Sequence, residues 1–305
     1  MSRPIASVEV PSSSANLGSG FDCFAAALSL KLRAELHEGS EAGILLNAHG
    51  EGAPRSTDGP DDNLLIRAFR EGMRVAAGTG GGAWRLEVSS MIPVARGLGS
   101  GAAAIVAGLL LGASVGRRSP DADELLSAAA RLEGHADNVA AALYGGITLA
   151  VGSDEGVTLR RFHAPESWIP VVFLPQRESR TADMRRALPL AVPHHEAAMA
   201  AARAALLATA VISGDASLLR EAMDDRLHQP YRLPQLPGSA QLIETAYAHG
   251  AAGAALSGAG PSVLAICDSP AAAHSVEKAF NAFDLPGMAT RLRFDTTGAR
   301  LSTAS

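Results

Sequence analysis

The sequence predicts an α+β protein of two domains, and three observations lead there. Strand-like stretches dominate the first half, with only two or three helical ones among them. The second half instead interleaves strands and helices, as in a sandwich of helices on a sheet. At 305 residues the chain is also long enough for two cores. Aromatic residues make up only 4% of a chain that is 47% hydrophobic, so those cores must be built from Ala, Leu and Val.

Taken in order, residues 5–10 alternate apolar and polar and read as a strand that Pro11 ends. A polar glycine turn spans 12–20, an apolar stretch 21–30, and further strands 31–36 and 43–47. Residues 52–62, rich in Pro, Gly and Asp, form a loop. A helix over 63–77 carries Leu64, Leu65, Ala68 and Met73; a glycine turn over 78–82 leads to a strand over 84–88. The uncharged run 102–116 reads as a buried helix, and 122–133 as an amphipathic one with Leu125, Leu126, Ala129 and Leu132 on one face. After Gly145-Gly146 comes a strand over 147–151, and the first domain closes within 152–166. The second opens with a buried strand over 168–174. The segment 181–188 then leads to Pro189. Helices are expected over 194–212, 216–227, 239–249 and 271–281, and strands over 253–256, 263–267 and 289–294. The tail after Thr296 is polar and expected to be loose, and no internal repeat is present.

A net charge of −5 with no basic tract argues against nucleic acid and anionic membranes as partners. No apolar run reaches membrane-spanning length without a Gly or polar interruption. Cys23 and Cys267 are too few for a disulfide framework, and the N-terminus has no signal-peptide core, so a cytoplasmic location is expected.

The chemistry is expected at Pro93-Val-Ala-Arg-Gly-Leu-Gly-Ser-Gly-Ala-Ala-Ala104. Gly97, Gly99 and Gly101 allow a tight turn, and the helix that follows offers free N–H groups and a positive end to a phosphate. No Gly-Lys-Ser/Thr closes a Walker A loop. The dinucleotide pattern Gly-x-Gly-x-x-Gly/Ala matches, with Asp121, Asp123 and Glu124 downstream, but Pro93 and Arg96 spoil the strand it requires. A plain turn before a core helix is the remaining reading.

The loop resembles the phosphate-binding loop of the GHMP small-molecule kinases. Two further stretches resemble the same superfamily in its order: Pro11-Ser-Ser-Ser-Ala-Asn-Leu-Gly-Ser-Gly-Phe-Asp22 and Leu256-Ser-Gly-Ala-Gly-Pro-Ser-Val263. Glu133-Gly-His-Ala-Asp-Asn138 and His228-Gln-Pro-Tyr-Arg232 are similar to the homoserine kinase branch. The resemblance implies an N-terminal S5 domain 2-like β/α domain that binds ATP (residues 1–158) and a C-terminal ferredoxin-like α/β sandwich (159–305). It implies phosphorylation of the side-chain hydroxyl of L-homoserine, a step of threonine biosynthesis, with ATP and Mg²⁺; a homodimer is a separate expectation that the motifs do not carry.

The resemblance also implies site residues. Pro93, Val94, Ala95, Arg96, Gly97, Leu98, Gly99, Ser100, Gly101, Ala102 and Ala103 form the ATP loop, with Asn63 on the adenine side. Glu133 and Ser100 hold Mg²⁺, which favours oxygen ligands. Asn16 and Asp22 take the substrate's amino group; Arg185 and Arg232 take its carboxylate, for which arginine forks are suited. His135 and Asn138 line the acceptor pocket, and Asn138, Glu133 and Arg185 are the catalytic set. Gly258, Ala259 and Gly260 form a third turn packed against the phosphate loop. The chain departs from the family pattern at Gly101, where relatives carry a second serine, which leaves metal binding in question. Asp22 and Asp137 are the available bases, and neither is a convincing one. A kinase for another hydroxy acid or a sugar, and a non-catalytic metabolite sensor, are the rival readings.

Overall fold

The alternation over residues 5–10 gives a strand, but Pro11 does not end it. In a computed structural model that describes residues 3–50, 63–78, 81–153 and 155–304, β1 (Ala6–Asn16) runs through the proline. Its register against β2 (Gly20–Glu38) shifts between Pro11 and Ser12. A bulge is where a strand tolerates a residue that cannot donate to the ladder. The turn expected over 12–20 therefore shrinks to Leu17–Ser19, and the two stretches expected at 21–30 and 31–36 are one long strand. The loop expected at 52–62 lies outside the described residues.

β3 (Gly43–Gly50) pairs in parallel with β4 (Ala83–Ser90), which pairs with β2. β5 (Ile147–Ser153) pairs with β2 and with β6 (Gly156–Phe162). The sheet runs β11-β1-β2-β4-β3, its outer strand β11 (Arg300–Thr303) coming from the tail that was expected to be loose. Four helices, α1 (Leu64–Val75), α2 (Ser100–Ser114), α3 (Ala122–Glu133) and α4 (Asp137–Tyr144), cover it, with α2 and α4 against β1.

With few aromatics to fill gaps, helices α1 and α2 approach closely. A Cβ built on Gly108 would lie 2.3 Å from the Leu65 carbonyl oxygen, and one on Gly112 would lie 1.9 Å from that of Phe69. Phe69, fully buried in this contact, contributes roughly 2–3 kcal/mol by leaving water. Buried from Ala102 to Leu109, α2 presents its N-terminus at a fixed place.

β7 (Ile169–Pro175) opens the second half and is followed by α5 (Thr181–Arg186) and α6 (His194–Ser213). Then come a 3₁₀ turn at Ala216–Leu218, α7 (Leu219–Ala222), α8 (Gln229–Arg232) and α9 (Ser239–Ala248). The single helix expected at 216–227 breaks after Ala222 because the Asp225 carboxylate bonds the N–H groups of Leu227, His228 and Gln229 and makes a turn. β8 (Gly253–Leu256), β9 (Val263–Cys267), α10 (Pro270–Asn281) and β10 (Gly287–Arg291) complete a four-stranded sheet in the order β10-β7-β9-β8. α6 is long and apolar enough to pass a test for membrane-crossing helices, yet it packs on α7 with Leu207, Ala210 and Val211 buried.

Alternate residues of β9 face two different cores, as a period of two requires. Leu264 and Ile266 join the large cluster of the first half, while Val263, Ala265 and Cys267 join the second. The second sheet thus forms a wall shared by both halves, and the cleft between them has firm sides. The boundary expected at 158/159 falls inside β6; sheet membership changes between Phe162 and Ile169 and returns to the first sheet at β11.

Candidate active site

The glycine loop expected to bind phosphate is packed closely by the rest of the chain. Gly97 and Gly99 have φ of 76° and 68°, and Gly99 caps α2, which starts at Ser100. Space is as restrictive as conformation: a Cβ on Gly97 would lie 2.1 Å from the Ser257 carbonyl oxygen, and one on Gly99 would lie 2.2 Å from Ser13 Oγ. The Ser257 hydroxyl lies 2.6 Å from the Gly97 carbonyl oxygen and 2.8 Å from Ser14 Oγ, so it joins the third motif to the first two. Gly101 has no positive φ and sits inside the first turn of α2. Its built Cβ would meet Glu133 Oε2 at 3.6 Å, an ordinary contact.

The first glycine turn carries strain. Asn16, Leu17 and Asp22 all have positive φ, at 71°, 46° and 57°. Such residues cost of order 1–3 kcal/mol each and persist only where surroundings over-determine them. The surroundings are Gly18, whose Cβ would strike the Met223 carbonyl at 2.1 Å, and the Asn16 amide. That amide accepts from Asp22 N at 3.1 Å and donates to the Gly258 carbonyl oxygen at 2.8 Å.

These segments enclose a cleft of about 390 Å³. Asn16, Asp22, Glu133, His135, Asn138, Arg185 and Arg232 all line it, alongside Ala95, Gly97, Gly99, Ser100, Gly101, Gly258 and Ala259. Ser13 Oγ donates to Asn138 Oδ1 at 2.8 Å, which fixes the oxygen of an amide that lines the cleft. His135 Nδ1 meets the buried Asp137 carboxylate. Burial acts to lower the His135 pKa, but its contact with Asp137 and the nearby negative charges outweigh that and raise it. Glu133 is pushed up to about 7, first by burial. Among the described residues, the basic group within 4 Å of it is the His135 ring, whose Nε2 lies 4.0 Å away and is charged only when the ring is protonated. A desolvated carboxylate so weakly compensated, beside the first turn of α2, suits a divalent cation.

Asp22 and Arg185 meet each other in a two-pronged pair at 3.0 and 2.8 Å, although the sequence assigned them to opposite ends of one substrate. Arg232 is 2% exposed, and burial followed by the Arg185 charge lowers its pKa to about 10.

Several expected loop residues lie elsewhere. Leu98, Ala102 and Ala103 are core, and Pro93 is buried; neither Pro93 nor Val94 lines the cleft. Arg96 donates to the carbonyls of Pro175 and Gln176 at 2.8 Å each and ties the loop to β7. Gly260 does not line the cleft; a Cβ there would sit 2.6 Å from Leu236. Asn63 is buried as the N-cap of α1, its oxygen accepting from Leu65 N and Ile66 N, and it does not face the cleft. This is what an Asn before an apolar helix ordinarily does. Sequence reasoning missed Ser13, Ser257 and Phe21. The serines stand inside the quoted motifs, and nothing but three-dimensional pairing marks them.

A glycine turn on a helix N-terminus, opposite a charged pocket shared by two halves, defines a small-molecule phosphotransferase. Family comparison agrees: residues 63–146 match the GHMP kinases N terminal domain, and 202–284 match the GHMP kinases C terminal domain. A homoserine kinase of Moorella thermoacetica is 40% identical over 262 residues, covering 85% of this chain and 86% of that one. One of Streptomyces coelicolor is 38% identical over 309 residues, covering 98% and 96%. The crystal structure of homoserine kinase from Cytophaga hutchinsonii superposes with a TM-score of 0.87 at 24% identity, over 99% of both chains. The chain belongs to the homoserine kinase family of GHMP kinases, and it is a kinase.

Proposed function

We propose that the protein transfers the γ-phosphoryl group of ATP to the side-chain hydroxyl of L-homoserine, giving O-phospho-L-homoserine for threonine biosynthesis in the cytoplasm. The observation that carries this reading is the charge set of the acceptor pocket: Asn16 and Asp22 beside Arg185 and Arg232. A zwitterion divides the Asp22–Arg185 pair and satisfies both members. Its ammonium goes to Asp22 and Asn16, and its carboxylate to Arg185 and Arg232. An acceptor with a carboxylate but no amino group leaves Asp22 unpaired, which is costly in a half-buried site.

In the step itself the acceptor oxygen bonds the γ-phosphorus as the bond to the β-bridging oxygen breaks, and the hydroxyl proton leaves late, to phosphate or water. Positioning and charge stabilisation supply most of the rate in such reactions. Asn138, its carbonyl held by Ser13, orients the hydroxyl through its amide nitrogen. The N–H groups of the loop and of the first turn of α2 cradle the phosphates. Glu133, with Ser100, would hold Mg²⁺, which neutralises phosphate charge when bound.

We also propose a homodimer; light scattering, with M199E at an exposed apolar residue of α6 as one variant, checks it. Function is tested by coupled ADP release with homoserine, threonine, serine and mevalonate. Preference for an acceptor without an amino group, or no turnover of homoserine, sinks the reading.

A further inference from the structure

Arg232 commits three of its five N–H groups to the protein. Nε donates to the Met184 carbonyl at 3.4 Å, and Nη1 divides between the Gly258 carbonyl at 3.3 Å and the His228 ring at 3.2 Å. Among the described contacts Nη2 has none, and Arg232 lines the cleft. Both partners in the contact with His228 are basic and both are buried here, His228 completely. A guanidinium only donates. His228 Nδ1 must therefore be an acceptor, and the ring is neutral with its proton on Nε2.

The rest of the environment is built for that tautomer. Nε2 lies 3.0 Å from the Gly18 carbonyl oxygen and 3.5 Å from Asp225 Oδ2, both acceptors. The Asp225 carboxylate is already engaged with three backbone N–H groups, at 2.9, 2.8 and 2.6 Å. The charged groups around the ring are Asp225, Asp22 and Arg232; burial, first, and Arg232 hold its pKa down, while Asp225 and Asp22 act against them. Phe21 stacks on the imidazole at 5.1 Å and 23°. The same phenyl ring lies under the Arg232 and Arg185 guanidiniums, at 5.3 and 6.0 Å.

We infer that His228 is a positioning residue for the acceptor site: as the neutral Nε2–H tautomer, pinned to the Gly18 carbonyl and stacked on Phe21, it accepts from Arg232 and aims Nη2 at the substrate carboxylate. The inference rests on the assignment of Arg232 to that carboxylate. It adds a reason why the amino and carboxylate subsites keep their spacing. Gly18 belongs to the turn that bears Asn16, and the Gly258 carbonyl accepts from both Asn16 and Arg232. His228 and Gly258 thus measure the distance from one end of the zwitterion to the other.

Two isosteric variants separate the ring's two contacts. H228N places an amide oxygen near the Nδ1 position and keeps an acceptor for Arg232 while losing the Gly18 anchor. H228Q keeps a donor for Gly18 near Nε2 and loses the acceptor. H228Q is expected to raise KM for homoserine about tenfold, the size of one charged hydrogen bond, with kcat and KM for ATP within about twofold of wild type. H228N is expected to hold KM for homoserine within about threefold while melting earlier. Equal rises in both KM values, an unchanged homoserine KM in H228Q, or a larger rise in H228N than in H228Q overturns the inference. If neither variant folds, the ¹⁵N spectrum of histidine-labelled wild type still decides. A neutral Nε2–H ring for His228 across the pH range of activity is expected; an Nδ1–H ring or an imidazolium overturns the proposal. That spectrum needs no substrate, so it stands apart from the identity of the acceptor; failure of wild type to turn over homoserine counts against the functional reading alone.

Discussion

In the function proposed above, the two ends of the cleft recognise their ligands by opposite means. On the phosphate side, recognition is by backbone, and side chains are excluded: Gly97 and Gly99 have no room for a Cβ. On the acceptor side, it is by side chains drawn from both halves, braced by other side chains and by backbone carbonyls, as Arg232 is by His228 and Gly258 and Asn138 by Ser13. Backbone N–H groups read any phosphate alike, so the first device suits a part common to many kinases. A set of side chains can be changed one at a time, so the second suits a part that must name its substrate. The difference predicts where a single methyl group does more harm than the loss of a whole guanidinium.

The largest effect is expected from Gly97→Ala. The new Cβ combines a strained φ of 76° with an overlap on the Ser257 carbonyl. Displacing the loop by about 1 Å costs on the order of 10²-fold in rate, and strain of roughly 1–3 kcal/mol should lower the melting temperature by several degrees. Activity above a tenth of wild type would break the comparison. Glu133→Gln comes next. As a metal ligand it should lower kcat by roughly 10²-fold, about 2.7 kcal/mol, with the fold kept; an unchanged kcat at saturating Mg²⁺ removes it from the metal.

Arg232→Leu tests the acceptor side directly. KM for homoserine should rise about 10- to 100-fold, and KM for ATP should barely move; parallel changes would merge the two ends that the comparison separates. Gly101→Ser has the smallest expected effect and sharpens the contrast, because this glycine, unlike Gly97 and Gly99, is helical and has space. It should raise stability by roughly 0.4–1 kcal/mol and leave Mg²⁺ use unchanged or improved, read from a melting curve beside a Mg²⁺ titration. An earlier melt with a higher Mg²⁺ requirement would place Gly101 with the other two.

The residues that the sequence made legible are those whose chemistry is local. A glycine turn before an uncharged helix, an acid closing an amphipathic helix and an Asn-x-x-x-x-x-Asp turn each announce themselves within about a dozen positions. Gly101 lay at the limit. Its neighbours suggested a helical conformation, and only the structure showed the room beside Glu133. What stayed hidden depends on partners far along the chain. The Asp22–Arg185 pair, the Ser257 link to Gly97 and the stacking of Phe21 beneath two guanidiniums bring together segments separated by well over a hundred positions. Asn63 misled for a related reason, since a helix cap and a ligand contact call for the same amide. β6 and β11 were missed because each is a short strand with charged residues, made a strand by what it pairs with.

β11 has a consequence for how the chain is made. Residues 300–303 pair with residues 6–9, and the Asp295 carboxylate reaches Lys31 at 2.5 Å. A ribosome that has delivered every strand through β6 has therefore still not completed the first sheet, and β1 waits with one flank open until residues 300–303 have been made. An open strand flank is a template for foreign pairing. Chains released early, or frayed at residues 300–303, should be caught by chaperones or precipitate, even though every residue lining the cleft has already been translated.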